Sequence, residues 1–585
     1  MNKEVLDLLR ERKLLLAKEV FDLVSSIESK EVARAFLDEL EKLYKGKMIT
    51  KTMLTKNWHF VKSFAQKLPG QDKTYVEKVF VKLGVSLEIG KEKEIVSSSG
   101  VGGDKTHGQV GKWLGEKERE SKRFVSSAVH EKSSGESASA GGFGSKGIEV
   151  GYTGKDFDVG ARASMKEHSI TYKVFYANTT PEKKLEVGDF VKNFRARFMQ
   201  LRKILAQRRE LQANLVSMNK ISSQRESFSL IGIVSEKHTT KNKNILLRLE
   251  DLTGQVRAVV RQGSEAFKVA EEVQLDDVIG LKVSGNREMV FVQEIYFPDA
   301  RLIDRTRFSR DVWVAFVSDV HCGSDRHLKK SFNRFLEWLN SEDEIAQKIE
   351  FMFFVGDNVD GVGIFPSQEE LLELKSMREQ YQLLASYLKR VPKRVTMFMC
   401  PGQHDAVRVA EPQPLISKKY APELYEIDNL VLVTNPTLVK LCEREKEFKV
   451  LMYHGASIHS FINQIKELRE MKAHRCPAKA VVHMLKRRHL SPTHSESVYI
   501  PNPDVDPLVI DEVPDVLCTG EVHRLDIERY NGVLIITGSC WQAQTPFEEK
   551  VGNIPDPAKV PLLNLRTGQL KIYDFGDESE VGREW

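Results

Sequence analysis

Along this chain the spacing of apolar residues changes from segment to segment. Over residues 1–92 it is helical: Leu9, Leu16, Val20, Phe21 and Val24 fall on one face, and ARAFLDELEKLY repeats the pattern, so a small helical domain is expected. Residues 93–150 lose that rhythm. Stretches such as SSSGVGGDKTHG and EKSSGESASAGGFGSKG hold too few apolar residues for a core, and a flexible linker is expected. Residues 186–213 return to a helical period, with Phe190, Phe194, Phe198, Leu201 and Leu205 on one stripe. Arg195, Arg197, Arg202, Lys203, Arg208 and Arg209 are distributed around the rest, which reads as a basic amphipathic helix with a solvated charged face. Between residues 214 and 300 the period shortens toward two. FSLIGIVSEK, NILLRLEDLTGQVRAVV, DDVIGLKVSG and MVFVQEIY predict roughly five strands, enough for a small barrel. Residues 311–585 alternate strand, loop and helix as an α/β domain does.

Composition adds limits. A chain of 585 residues is too long for one core, and 41% hydrophobic with 29% charged residues is an ordinary soluble mixture. A net charge of +5 is mild at this length, so nucleic-acid affinity would come from local basic patches or from partner chains. The six cysteines form no CxxC pair, which fits buried or free thiols in a reducing compartment rather than a disulfide framework or a zinc module. Charges interrupt every apolar run of MNKEVLDLLRERKLLLAKEV, and no stretch reaches the roughly 18 to 20 apolar residues of a membrane span. A cytoplasmic protein with no membrane partner is expected. No GxxxxGK[ST] loop is present, so nucleoside triphosphate hydrolysis is not supported.

The chemistry gathers in the last 275 residues, at the ends of apolar strands. VWVAFVSDVHCG ends in Asp319-x-His321, where two side chains can turn toward a common point. KIEFMFFVGDNVDG delivers Asp357 after Gly356, whose missing side chain allows close backbone approach. RVTMFMCPGQHDAV delivers Gln403, His404 and Asp405; FKVLMYHGAS delivers His454; DVLCTGEVHRLD delivers Glu521 and His523. One such residue at one strand end is ordinarily a cap or a turn residue. Five strand ends carrying ligand-type residues point to a metal site.

In this order, DxH, GDxxD, GQHD, HG and GExH resemble the calcineurin-like metallophosphoesterases, over residues 311 to about 575. LEDLTGQVRAVV resembles an OB-fold hairpin of the kind found in replication proteins. With that barrel ahead of it, and with PGQHDAVRVAEPQP, MLKRRHLSPTH, VIDEVPDVLCTGEVH and GSCWQAQTPF, the chain is similar to the small subunits of archaeal family-D DNA polymerases. The resemblance implies a multidomain α+β chain: helical N-terminal domain, linker, OB-fold barrel and a two-sheet phosphoesterase sandwich flanked by helices.

It also implies chemistry. One divalent metal would be held by Asp319, His321, Asp357 and His523, and a second by the bridging Asp357 with Gln403, His454 and Glu521. Mixed oxygen and imidazole ligands suit Mn²⁺, with Mg²⁺ the other candidate. His404 would protonate the departing 3′ oxygen and Asp405 would orient its imidazole. The implied activity is a proofreading 3′ to 5′ exonuclease acting on single-stranded or frayed 3′ ends. The implied partners are a large polymerase subunit and, through the holoenzyme, a sliding clamp. Two positions depart from the wider pattern: Gln403 stands where Asn is usual, and Glu521 where the first His of GHxH is usual. A catalytically weakened structural subunit is therefore the alternative, and a phosphoesterase for small molecules or phosphoproteins the least favoured reading.

Overall fold

The computed structural model describes residues 170–179, 184–494 and 496–581, with Leu15, Leu16, Arg34, Leu37, Met48 and Ile49 nearer the N-terminus. The chain divides into two compact units, residues 1–110 and 111–585. In the first, Leu15–Leu16 pairs in parallel with Met48–Ile49. The periodicity places Leu16 on a helical stripe; it is a strand residue instead, because two adjacent leucines carry no period of their own. Arg34 and Leu37, within ARAFLDELEKLY, are helical as expected; otherwise the helices expected over 1–92 and the linker over 93–150 lie outside the described residues.

The second unit begins with β1 (Thr171–Tyr176) and the helix α1 (Val187–Leu205). A closed barrel follows, built from β2 (Glu226–Thr239), β3 (Ile245–Glu250), β4 (Gln255–Val260), β5 (Val278–Gly285) and β6 (Val290–Tyr296), in the order β2-β3-β4-β6-β5, with α2 (Glu265–Glu272) between β4 and β5. Alternation fills it: Ile245, Leu247 and Leu249 point inward with Val256, Ala258, Val260, Val290 and Val292.

The remaining chain forms a sandwich. Its first sheet runs β10 (Leu430–Leu432), β9 (Thr396–Cys400), β8 (Ile349–Val355), β7 (Trp313–Val317), β16 (Lys559–Asn564) and β17 (Leu570–Asp574). The second runs β14 (Asp526–Tyr530), β15 (Val533–Thr537), β13 (Val516–Thr519), β12 (Lys446–Met452), β11 (Thr437–Glu443) and β1. The period of two decides which residue faces where. Val314 and Phe316 meet Phe353, Val450, Cys518 and Ile536 between the sheets, whereas Trp313, Ala315 and Val317 face the helices α3 (Lys329–Leu339) and α4 (Met377–Leu388). On the far side the second sheet is covered by α5 (Ile458–Gln464) and α6 (Ala478–Arg487). Burial on both faces explains why β8 and β9 read as continuous apolar runs. The strand β1, upstream of the barrel in sequence, pairs antiparallel with β11 from Thr171↔Cys442 to Tyr176↔Thr437.

The helical stripe over 186–213 is real but shorter, ending at Leu205, with a separate turn at Arg209–Gln212. Arg197 also departs from the expected solvated face. It lies three residues after Phe194 and four before Leu201, so it shares their face and is fully buried. There its Nε donates to Asp506 Oδ2 at 2.7 Å, while Asn193 Nδ2 and His489 Nε2 each lie 3.1 Å from the same oxygen. The helix thus ties the sandwich to the barrel, against which Phe198, Leu201 and Leu205 pack through Ile231 and Val278. All six cysteines are free thiols, five of them buried. No helix of the described residues is long and apolar enough to cross a membrane.

Burial alone would raise the Asp506 pKa, but Arg197 and then His489 hold it well below the usual carboxylate range. Its contribution is present above the unfolded value of 3.8 and lost as pH falls through the lower folded value. Burial and Arg197 push His489 the same way, from 6.5 down to about 4. An unfolded His489 takes up its proton below 6.5 and the folded one does not, so stability falls as pH drops from 6.5 toward 4. Urea melts between pH 7 and pH 4 should show that fall, shallower in His489→Gln. Asp506→Ala, which strands the buried Arg197, should cost about 3–5 kcal/mol at pH 7; a cost below about 1 kcal/mol would mean the pair does not hold the junction.

Candidate metal centre

Every candidate ligand leaves the C-terminal end of a strand: β7 for Asp319 and His321, β8 for Asp357, β9 for Gln403, β12 for His454, and β13 for Glu521 and His523. β7, β8 and β9 are parallel, as are β12 and β13, so each sheet delivers its loops to one edge. Backbone hydrogen bonds lace these loops together. Asp319 N donates to Gly356 O at 3.1 Å, His321 N to Asp357 O at 3.0 Å, and Gly520 N to His454 O at 2.8 Å.

Convergence needs an unusual backbone. Asp319, His321, Asp357, Glu521 and His523 all have positive φ, between 46° and 73°. Such left-handed residues cost on the order of 1–3 kcal/mol each and persist where the surroundings over-determine them, most often at functional sites. Glycine supplies the remaining room. A Cβ on Gly356 would lie 2.2 Å from His454 Nδ1, and one on Gly402 would lie 2.1 Å from Asp357 Oδ1.

The imidazoles are oriented from behind. His321 Nδ1 lies 2.9 Å from Asp360 Oδ1 and His523 Nδ1 lies 3.0 Å from Glu548 Oε1, so each Nδ1 donates and each Nε2 is left with its lone pair. Those two Nε2 atoms face each other at 3.0 Å. Two acceptors at that distance repel unless a proton or a metal cation stands between them. A carboxylate behind each ring is the support that metal-ligating histidines ordinarily have. Burial opposes a charge on His523, but Glu548 and Asp319 raise its pKa to about 9, so a proton can fill the gap when no metal does.

The second half of the site is built alike. His454 Nδ1 lies 2.9 Å from the Val355 carbonyl, leaving Nε2 3.2 Å from Asp357 Oδ2 and 3.3 Å from Glu521 Oε2. Burial disfavours its charged form, yet Asp357 and Glu521 raise its pKa well above the ordinary value. Burial likewise opposes ionisation of Asp357, but His454 and His404 hold its carboxyl well below the usual range. Gln403 Nε2 donates to Glu521 Oε2 at 2.6 Å, which turns the amide oxygen toward the site. Gln403 Oε1, Asp319 Oδ2 and His454 Nε2 are buried without a hydrogen-bond partner. Three buried polar atoms left without a hydrogen bond in one place suit a site built for a cation, which would displace the His454 proton, and the residues present fit the implied metals. The ligand atoms of Asp319, His321 and His523 lie within 4.8 Å of one another, as do those of Asp319, Asp357 and His454.

Asp405 occupies a different place from the one expected. His404 Nδ1 lies 2.6 Å from the Asp360 carbonyl, which fixes Nε2 toward the site, 3.9 Å from Asp357 Oδ2. That carbonyl, not Asp405, orients the ring. Asp405 Oδ2 instead accepts from Asn358 N at 3.2 Å, Asn358 Nδ2 at 3.0 Å and Gly402 N at 2.9 Å, while Oδ1 accepts from Tyr381 at 2.9 Å. Asp405 therefore staples the Asp357 loop to the Gln403 loop, and burial with the nearby Asp357 charge raises its pKa to about 6. Sequence reasoning missed Asp360 and Glu548. Asp360 is the last acid of GDNVD, and Glu548 completes a capping box with Thr545 on α7 (Pro546–Val551) while turning Oε1 to His523.

A family model for the B subunit of DNA polymerases alpha and epsilon matches residues 314–525, a span that reaches from β7 to just past His523. Three curated relatives are each named DNA polymerase II small subunit. The protein of Pyrococcus furiosus is 37% identical over 67% of this chain and 65% of its own length. That of Methanothermobacter thermautotrophicus is 34% identical over 67% of this chain and 80% of its own. That of Methanocaldococcus jannaschii is 33% identical over 66% and 65%. The chain spans about 65% of the length of the Pyrococcus furiosus relative. With such identity running through two thirds of its length, this chain belongs to the family of archaeal DNA polymerase II small subunits, the small subunits of family-D DNA polymerases.

Proposed function

We propose that this chain is the nuclease-bearing small subunit of a two-subunit DNA polymerase, hydrolysing phosphodiesters from the 3′ end of DNA to remove misincorporated nucleotides. The observation that carries the reading is the pair of imidazoles of His321 and His523, whose Nε2 atoms face each other at 3.0 Å with a carboxylate behind each ring. Asp319, His321, Asp357 and His523 would hold one divalent cation, and Asp357, Gln403, His454 and Glu521 a second. Bound there, the cations would supply Lewis-acid activation of water and neutralise charge gathering on phosphorus.

The chain's own residues do the rest. Asp360 and Glu548 fix two imidazoles by their outer nitrogens, which keeps the inner nitrogens aimed without rearrangement. His404, held on a carbonyl through Nδ1, presents Nε2, which in the imidazolium form that the Asp357 charge favours against burial would hand its proton to the departing 3′ oxygen. Asp405 acts through the backbone, holding the Asp357 and Gln403 loops at one spacing. The large polymerase subunit and frayed 3′ ends are the partners this reading requires.

The structural-subunit reading draws on the Gln403 to Glu521 hydrogen bond, an interaction that needs no metal. Against it, Gln403 Oε1 remains buried and unpartnered, which a site kept only for structure has no reason to retain.

The deciding experiment is cleavage of a 3′-mismatched, end-labelled primer by the purified chain with Mn²⁺, beside Asp357→Ala. Stepwise shortening from the 3′ end that Asp357→Ala abolishes is expected; no shortening, alone or with the large subunit added, would leave the structural reading. His404→Ala should keep Mn²⁺ stoichiometry and slow cleavage roughly 100-fold or more, whereas an unchanged rate would remove His404 from proton transfer.

A further inference from the structure

At Glu521 the second half of the metal centre has a carboxylate where the wider pattern has an imidazole, and the structure places another imidazole beside it. Glu521 turns its two oxygens to different sides. Oε2 faces inward, accepting from Gln403 Nε2 at 2.6 Å and lying 3.3 Å from His454 Nε2. Oε1 lies 3.7 Å from Nε2 of His459, a residue outside all the ligand motifs. The His459 side chain is 43% exposed and that of Glu521 16%, so His459 approaches from the solvent side.

Local structure brings the ring there. Gly455, with φ 123°, turns the chain just after His454, and a Cβ on it would lie 2.8 Å from Ile458 Cδ1 and 3.3 Å from Glu521 Cβ. That room lets α5 begin against Glu521, with His459 in its first turn. The backing comes from a later loop. Lys472, with φ 55°, leads into a 3₁₀ turn at Ala473–Arg475, whose Ala473 belongs to the same buried cluster as Ile458 and Phe461. His474 on this turn sets its ring 5.4 Å from that of His459, the two planes 31° apart. A ring at that distance restricts how the His459 imidazole can turn.

The spacing suits a shared cation better than a direct contact. A separation of 3.7 Å is longer than a hydrogen bond. Two donor atoms that each lie roughly 2.1 Å from one cation stand about 3.0–4.2 Å apart, from right-angled to opposed placement. Both the His454 and the His459 distances to Glu521 fall in that interval. We propose that His459 is a further ligand of the second cation, returning through Nε2 the nitrogen donor that Glu521 takes out of the usual pattern. The inference rests on the two-cation reading given above. Glu521 then contributes charge and His459 the nitrogen of a neutral imidazole, which keeps the mixed oxygen and nitrogen set that suits Mn²⁺.

The test is titration calorimetry of the full chain with Mn²⁺ alone, without DNA, over a double-mutant cycle of His459 and Glu521. His459→Ala should leave one Mn²⁺ site unchanged and weaken the other roughly 10-fold or more. In the Glu521→His background, where position 521 itself supplies an imidazole, the same substitution should alter neither site by more than about 2-fold. His459→Asn replaces the alanine variant if the latter lowers the melting temperature. Unchanged affinity at both sites in a folded His459 variant would overturn the proposal. An equal loss in both backgrounds would overturn it too, since His459 would then act independently of position 521. Fewer than two bound Mn²⁺ in the parent chain would instead overturn the two-cation reading on which the inference stands.

Discussion

Two histidine nitrogens, His321 Nε2 and His523 Nε2, are held 3.0 Å apart by carboxylates on their far sides, so close that a proton or a cation must stand between them. Much of the architecture around them can be understood as the means of holding that arrangement. One histidine comes from the end of β7 and the other from the end of β13, on opposite sheets of the sandwich. The sheets must therefore keep their spacing. The interlocked layer of Phe316, Phe353, Phe398, Val450, Cys518 and Ile536 fixes it.

The same core bears the backbone strain. Five residues at the site have positive φ, and together they forfeit several kcal/mol by the order of magnitude such conformations cost. Offsetting interactions lie immediately behind. Asp405 gathers two loops and Tyr381 onto one buried carboxylate, and Asp360 serves His321 with its side chain and His404 with its carbonyl. These residues act by position, and their effects should be non-additive because they share loops.

The order of ligands was legible in the sequence because each one follows an apolar run, and a strand's end is where side chains can converge. The barrel was legible for the same reason, a period of two broken by turns. What stayed hidden depended on partners distant in sequence. Arg197 reads as a surface charge until Asp506, more than 300 residues on, is placed against it. Glu548 reads as a capping residue and is one, but its second oxygen serves His523, which no local pattern reveals. Asp405 follows His404 directly, which suggests that the two touch, yet its carboxylate faces Asn358, Gly402 and Tyr381. The strand β1 was missed because a six-residue strand on the edge of a sheet needs its partner β11 to give it meaning.

Barrel and sandwich are joined by a helix whose buried ion pair reaches into one and whose apolar stripe packs on the other. The proposed hydrolysis would depend on a cation held between the two imidazoles. Anomalous scattering from crystals soaked in Mn²⁺ tests this most directly: a peak within coordinating reach of both His321 Nε2 and His523 Nε2 is predicted, with a second beside Asp357, Gln403, His454 and Glu521. An empty gap between the two rings at saturating Mn²⁺ would contradict it.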